Sequence, residues 1–214
     1  MRSRHYAYTP EAAGAATIAA LQTLVGAGSL AIDGTYGASG FPSELAWKLT
    51  LTSANNLSAR TFTITYLDAQ GNSQTATTAG PNATTLSTTI YAQKVTAITV
   101  DGAAAAVSVG HANVGYGPWK HLPSRIGYTP SSAMLSYAGT ATVAMEATQA
   151  NIGDNSVFTG TFDYYTKNVN VTPATSTANT VIYDYDRREM GTRLRIDAWT
   201  SGQIRLDLSV PAAG

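Results

Sequence analysis

The densest group of chemically capable side chains is Asp184-Tyr185-Asp186-Arg187-Arg188-Glu189. Two closely spaced carboxylates can serve as acid and base on a glycosidic bond, or bind a hard cation through oxygen. The local order argues against both. Asp184 and Asp186 alternate on one strand face, and Arg187, Arg188 and Glu189 fall in the turn before Gly191, which describes a solvated strand end or a salt-bridging patch. The histidines, His5, His111 and His121, show no HExxH or other metal-ligand spacing. Ordinary surface positions are the expectation for them, although His111 and His121 flank a Gly/Pro-rich segment. No GxSxG elbow, P-loop or GxGxxG turn is found, and cysteine is absent, which removes disulfides, thiolate sites and a thiol nucleophile. No catalytic residue, metal ligand or cofactor is expected, and the chain reads as a non-enzyme.

A second charged set, Arg193, Arg195 and Asp197, would face Arg205 and Asp207 if the two segments form a hairpin. Cross-strand pairs of opposite charge stabilise a sheet by roughly 0.2 to 1 kcal/mol each, so this pattern reads as structure. Tyrosine outnumbers phenylalanine, 12 to 4. A ring with a polar tip suits protein interfaces and sugar faces alike.

The elements that carry these residues read as strands. Trp47-Lys48-Leu49-Thr50-Leu51-Thr52 and Thr61-Phe62-Thr63-Ile64-Thr65-Tyr66 alternate with period 2, as strands buried on one face do. Asp68-Ala69-Gln70-Gly71-Asn72 supplies the turn chemistry of a hairpin between strands. Further strands are expected at residues 29–34, 73–78, 85–91, 95–100 and 105–109. Beyond them come residues 133–137, 140–148, a segment bearing Phe158, Phe162, Tyr164 and Tyr165, then 181–185, 192–198 and 203–210, with a loop at 172–177. Residues 95–109 and 194–210 echo one another as two closing hairpins.

The fold class expected is therefore all-β, with two tandem antiparallel β-sandwich-like domains and an N-terminal arm. The arm covers residues 1–27, the first domain 28–112, a linker or crossover 113–130, and the second domain 131–214. In the arm, Ile18, Leu21, Leu24 and Val25 have the spacing of one helix face, while Pro10, Gly14, Gly26 and Gly28 equally suit an extended arm on a neighbour. Gly14, Thr17, Gln22 and Thr23 interrupt the apolar core that a signal peptide would need. No stretch approaches the roughly 20 apolar residues of a membrane span.

Charged residues make up 12% of the chain and the formal net charge is zero, so bulk electrostatics favour no polyanionic partner such as DNA. A surface of Thr, Ser, Asn, Gln and small groups is poorly defended against association. That composition suits a protein covered by partners in an assembly.

Residues 28–110 carry a resemblance. Thr50-Leu51-Thr52-Ser53-Ala54, Arg60-Thr61-Phe62-Thr63-Ile64-Thr65, Asp68-Ala69-Gln70-Gly71-Asn72, Ala79-Gly80-Pro81-Asn82-Ala83 and the run 91–101 resemble a module of tailed-bacteriophage virion structural proteins. The final hairpin, 193–210, is similar to the end of the second domain of such proteins. The resemblance implies a non-enzymatic particle component of the virion without fixing which part, and with neither a signal peptide nor a membrane span expected, the protein is expected to be made in the host bacterial cytoplasm. Its expected role is a capsid decoration or cement protein, a homo-oligomer partnered by the major capsid protein or other virion proteins, without nucleic acid or membrane. A head-to-tail or tail component, or a carbohydrate-binding β-sandwich of a tail spike, is the alternative. The candidate assembly contacts are Leu21, Leu24, Val25, Tyr116, Trp119, Tyr164, Tyr165, Arg187 and Arg188.

Overall fold

The computed structural model describes residues 2–121, 131–137, 139–148, 164–171, 179–185 and 191–210, and these contain strands, turns and irregular segments but no helix. The chain is all-β. Its Cα positions fall into two compact units, residues 11–116 and residues 1–10 with 117–214. The first unit is thus inserted into the chain of the second, and each is built from antiparallel sheets.

β1 (Arg2–Tyr8) opens the discontinuous unit. The inserted unit follows with β2 (Gly14–Leu24), β3 (Gly28–Ser29), β4 (Ala46–Ser53), β5 (Thr61–Leu67), β6 (Ser73–Ala79), β7 (Thr85–Ala92), β8 (Lys94–Val100) and β9 (Ala104–Tyr116). One sheet runs β2–β9–β4–β7 and the other β3–β8–β5–β6. Alternation decides which side chains go inside: Trp47, Leu49 and Leu51 from β4, Phe62 and Ile64 from β5, and Val107 and Val109 from β9 are all buried. In β8 the alternation breaks, since Val95 and Ile98 are both buried three residues apart. A bulge opposite Thr65 and Tyr66 absorbs the extra residue, and the Thr96 hydroxyl donates to the Thr65 carbonyl at 3.1 Å. The β5–β6 hairpin closes as its residues predict, with Gly71 at φ 84° and Asp68 Oδ1 accepting from the main-chain N–H of Gln70 and Asn72.

The discontinuous unit resumes with β10 (Lys120–His121), β11 (Ser131–Tyr137), β12 (Thr140–Thr148), β13 (Tyr164–Val171), β14 (Asn179–Tyr185), β15 (Gly191–Ser201) and β16 (Ile204–Val210). One sheet runs β1–β16–β11–β14 and the other β10–β15–β12–β13. Val143 and Met145 lie opposite Ile196 and Leu194 in the β12–β15 register, and all four are buried.

Several expectations are corrected. Residues 1–27 are not an arm. Arg2 to Tyr8 pair residue for residue with Val210 to Ile204, and β2 packs on β9 with Ile18 and Ala19 buried. Neither a helix nor a free extended segment is present there, because the ladder partners lie far along the chain. The strand expected at 29–34 reduces to Gly28–Ser29. From Leu30 onward the backbone instead lies along the outer edge of β2: the Gln22 side-chain amide both donates to and accepts from the Ala31 main chain, Asp33 Oδ1 accepts from Ala20 N–H, and Gly34 N–H donates to the Ile18 carbonyl. The two closing hairpins are also not hairpins. β8 and β9 lie in different sheets, as do β15 and β16, so residues 101–103 and 202–203 are corners crossing from sheet to sheet. Of the expected linker 113–130, residues 113–116 belong to β9 and 120–121 form β10, while 122–130 lie outside the described residues, as do Phe158, Phe162 and 172–177.

Candidate functional site

Among the described residues, the fold brings together groups of polar and aromatic side chains, three of which could do chemistry. The first is inside the inserted unit. β4 and β9 bring Trp47 and His111 together, and the segment after β3 lays Tyr36 and Phe41 over them, with ring centroids 4.7 Å apart for Phe41 and His111 and 5.6 Å for Trp47 and His111. His111 is 1% exposed, which corrects the expectation of a surface histidine. Thr17 Oγ1 and His111 Nδ1 share a hydrogen bond at 2.8 Å, and the Tyr36 hydroxyl donates to Glu11 Oε2 at 2.6 Å. Burial holds the His111 pKa below its usual value, the Glu11 main chain and carboxylate only partly opposing it. Tyr36 is pushed up to about 12 by its hydrogen bond to Glu11, with burial and the carboxylate charge adding. Both groups stay neutral near pH 7, an arrangement that supports packing rather than proton transfer.

This cluster has a pH consequence. The unfolded chain takes up a proton at His111 below pH 6.5, whereas the native pKa is lower. Stability is then fully present above the unfolded value and lost as pH falls toward the native one, with a slope of at most about 1.4 kcal/mol per pH unit for one group. Urea unfolding between about pH 7 and pH 5 is expected to show this loss in the natural protein and a flatter profile in His111→Phe. Equal slopes in the two would assign the dependence elsewhere.

The second group lies on β12 and β15 of the discontinuous unit. Glu146 is 1% exposed and sits directly opposite Arg193. Arg193 Nε donates to Glu146 Oε2 at 2.6 Å, Arg195 Nη1 reaches Oε1 at 3.4 Å, and Arg195 in turn donates to Asp197 Oδ2 at 2.9 Å. The Arg193 guanidinium also stacks over the Trp119 ring, 4.6 Å from its centroid. The expected partnership of Arg193, Arg195 and Asp197 with Arg205 and Asp207 is therefore replaced by one across β12 and β15, because β16 belongs to the other sheet.

The third group joins β1 to β16. His5 and Asp207 face each other in register, His5 Nδ1 lies 2.6 Å from Asp207 Oδ1, and Arg205 Nε donates to that same oxygen at 2.8 Å. Burial pushes the Asp207 carboxyl up, but the hydrogen bonds from Arg205 and His5 outweigh it and hold the pKa below the usual carboxylate value. Among the described residues no cluster of three or more His, Cys, Asp or Glu is placed to hold a metal.

The expected assembly contacts belong to several different elements. Leu21 and Val25, at 67% and 98%, are the exposed large hydrophobic side chains among the described residues, Leu21 within β2 and Val25 in the bend that follows it. Leu24 is half-buried. Tyr116 is half-buried and packs edge-on against Tyr91 at 4.7 Å. Trp119 is buried beneath Arg193 instead of facing a partner. Tyr164 and Tyr165 begin β13, paired with Thr148 and Ala147, and Arg187 and Arg188 lie outside the described residues together with Asp186 and Glu189. Sequence reasoning passed over Glu146, whose signal was a lone charge in the apolar run Val143-Ala144-Met145-Glu146-Ala147. The strand expected at 73–78 is present as β6, Ser73–Ala79, but it was not read as a site.

The geometry defines an all-β protein of sandwich-like units, with ion pairs at Glu146, Arg193, Arg195 and Asp197 and at His5, Arg205 and Asp207. No protein-family model matches the chain, and no curated protein and no solved structure matches it either.

Proposed function

We propose that this chain is a non-enzymatic structural component of a tailed-bacteriophage virion, acting as a capsid decoration or cement protein on the major capsid protein lattice. The observation that carries the assembly role is the exposure of Leu21 near the end of β2 and of Val25 just past it, two large apolar groups close together in the chain. Scattered apolar residues are ordinary on a surface. The chain as a whole carries few charges, which lowers the cost of stripping water from ions when a partner covers such groups. The assignment to a virion rests on the resemblance of residues 28–110. A sugar-binding reading is less favoured, since Tyr91 and Tyr116 turn toward each other and away from a flat, open platform.

A cement protein stabilises a shell by bridging its many equivalent junctions, so its copy number is expected to be comparable to that of the major capsid protein. Binding to the assembled state alone also raises the temperature at which heads fail. Densitometry of purified virions tests the first point and heating of heads lacking the protein tests the second. Leu21→Ser with Val25→Ser is expected to lower retention on heads at least tenfold, about 1.4 kcal/mol, while leaving the thermal transition of the isolated protein unchanged. A low copy number confined to tails would replace the cement role by a head-to-tail or tail role.

A further inference from the structure

Every strand at a sheet edge carries unpaired N–H and C=O groups that another chain can extend, and folded proteins blunt such edges with charge, bulges, brevity or a covering segment. Among the described residues, the edge strands of this molecule are blunted in these ways with one exception. β3 and β10 have two residues each. β1 carries Arg2 and Arg4, β14 carries Asp184, and β13 carries Lys167 beside a bulge. β7 is bulged where the Thr88 hydroxyl donates to the Leu49 carbonyl at 2.9 Å, and β2 is irregularly paired and overlain by residues 30–37.

β6 has none of these devices. It pairs with β5 in unbroken register from Ser73↔Leu67 to Ala79↔Thr61, it is seven residues long, and its sequence Ser-Gln-Thr-Ala-Thr-Thr-Ala has no charge and no proline. Gln74, Ala76 and Thr78 lie on the side of β5 that buries Phe62 and Ile64, yet they stay only half-buried, so the inner face of the sheet ends open there. The outer face continues a threonine ladder, Thr63 beside Thr77 and Thr65 beside Thr75.

We infer that β6 is the edge through which two copies of this chain associate, pairing antiparallel about a two-fold axis at Ala76. The segment is nearly palindromic about that residue. Such pairing sets Ala76 against Ala76 of the second copy, Thr75 against Thr77, Gln74 against Thr78 and Ser73 against Ala79. No like charges meet, the threonine ladder runs across the axis, and the half-buried Gln74, Ala76 and Thr78 gain cover from their counterparts. The two β3–β8–β5–β6 sheets become one continuous sheet. A second copy is favoured over an unrelated strand because the same short segment supplies both halves of a matched register. This inference stands on the strand geometry and does not depend on the virion reading, so a dimer without particle binding, or the reverse, separates the two.

The test is sedimentation velocity at about 50 µM, where a micromolar interface is mostly occupied. The natural protein is expected to sediment as a dimer. Thr75→Lys with Thr77→Lys places like charges opposite each other across the axis, and the corresponding Glu pair does the same with negative charge. Each variant alone is expected to be monomeric with an unchanged β-type circular dichroism spectrum, and an equal mixture of the two is expected to restore the dimer. A monomeric natural protein, a dimer that survives in either variant, or a mixture that stays monomeric would each overturn the inference.

Discussion

Glu146→Ala is expected to destabilise the discontinuous unit by about 3 kcal/mol, the low end of the cost of breaking a buried ion pair from one side. Glu146 is buried opposite Arg193, with Arg195 on the same face. Removing its carboxylate takes away the cross-strand ion pair with Arg193, while Arg195 keeps Asp197. The Arg193 and Arg195 side chains retain 18% and 21% of their exposure, so water recovers part of the loss and the upper end of the range is not reached. Glu146→Gln keeps the shape and an acceptor for Arg193 Nε, and should cost less. Because the pair is shielded from solvent, moderate salt should change the difference little. Urea unfolding followed by the Trp119 and Trp199 fluorescence of this unit measures it. A cost below about 1 kcal/mol would mean that the arginines are solvated and the group behaves as a surface pair.

The same residue shows what the sequence makes legible. β5 could be read directly, because Phe62 and Ile64 alternate with threonines and Asp68 and Gly71 terminate the run with their own turn chemistry. Such elements depend on neighbours along the chain. β1 could not, since only Tyr8 of its described side chains is buried and the reason for its extension is a ladder with residues 204–210. Nor could the segment after β3, whose place is set by the Gln22 amide substituting for a strand's main chain. The corners at 101–103 and 202–203 look like hairpin turns because turn chemistry is the same whether the chain returns beside itself or crosses to a facing sheet. His111 and Glu146 are polar residues whose burial depends on distant partners, Thr17 and Arg193, which alternation cannot reveal.

Gly110→Ala is expected to be among the most damaging single-methyl additions in the inserted unit. Gly110 looks like an incidental glycine in the apolar strand Val107-Ser108-Val109-Gly110-His111, where it should weaken the strand slightly. Its cause is the close approach of β2: a Cβ there would overlap the Gly14 carbonyl oxygen and stand 2.6 Å from the Ala15 carbonyl carbon. Both are backbone atoms, so no rotamer change relieves the overlap and β2 must move away from β9. That movement exposes Ile18, worth roughly 1.5 to 3 kcal/mol of burial, and strains the Thr17–His111 hydrogen bond, worth about 1 kcal/mol more. The expected total is about 3 kcal/mol, with amide exchange accelerating first along β2. Gly26→Ala is the control, since no atom lies within 4 Å of its added methyl and its φ is not in the left-handed region. It should be neutral or stabilising by a few tenths of a kcal/mol, roughly as a Gly-to-Ala change at a permissive site is. If the two alanine variants unfold within about 1 kcal/mol of each other, β2 is loosely held on β9, and the cluster of Tyr36, Phe41, Trp47 and His111 must be supported by β4 and β9 alone.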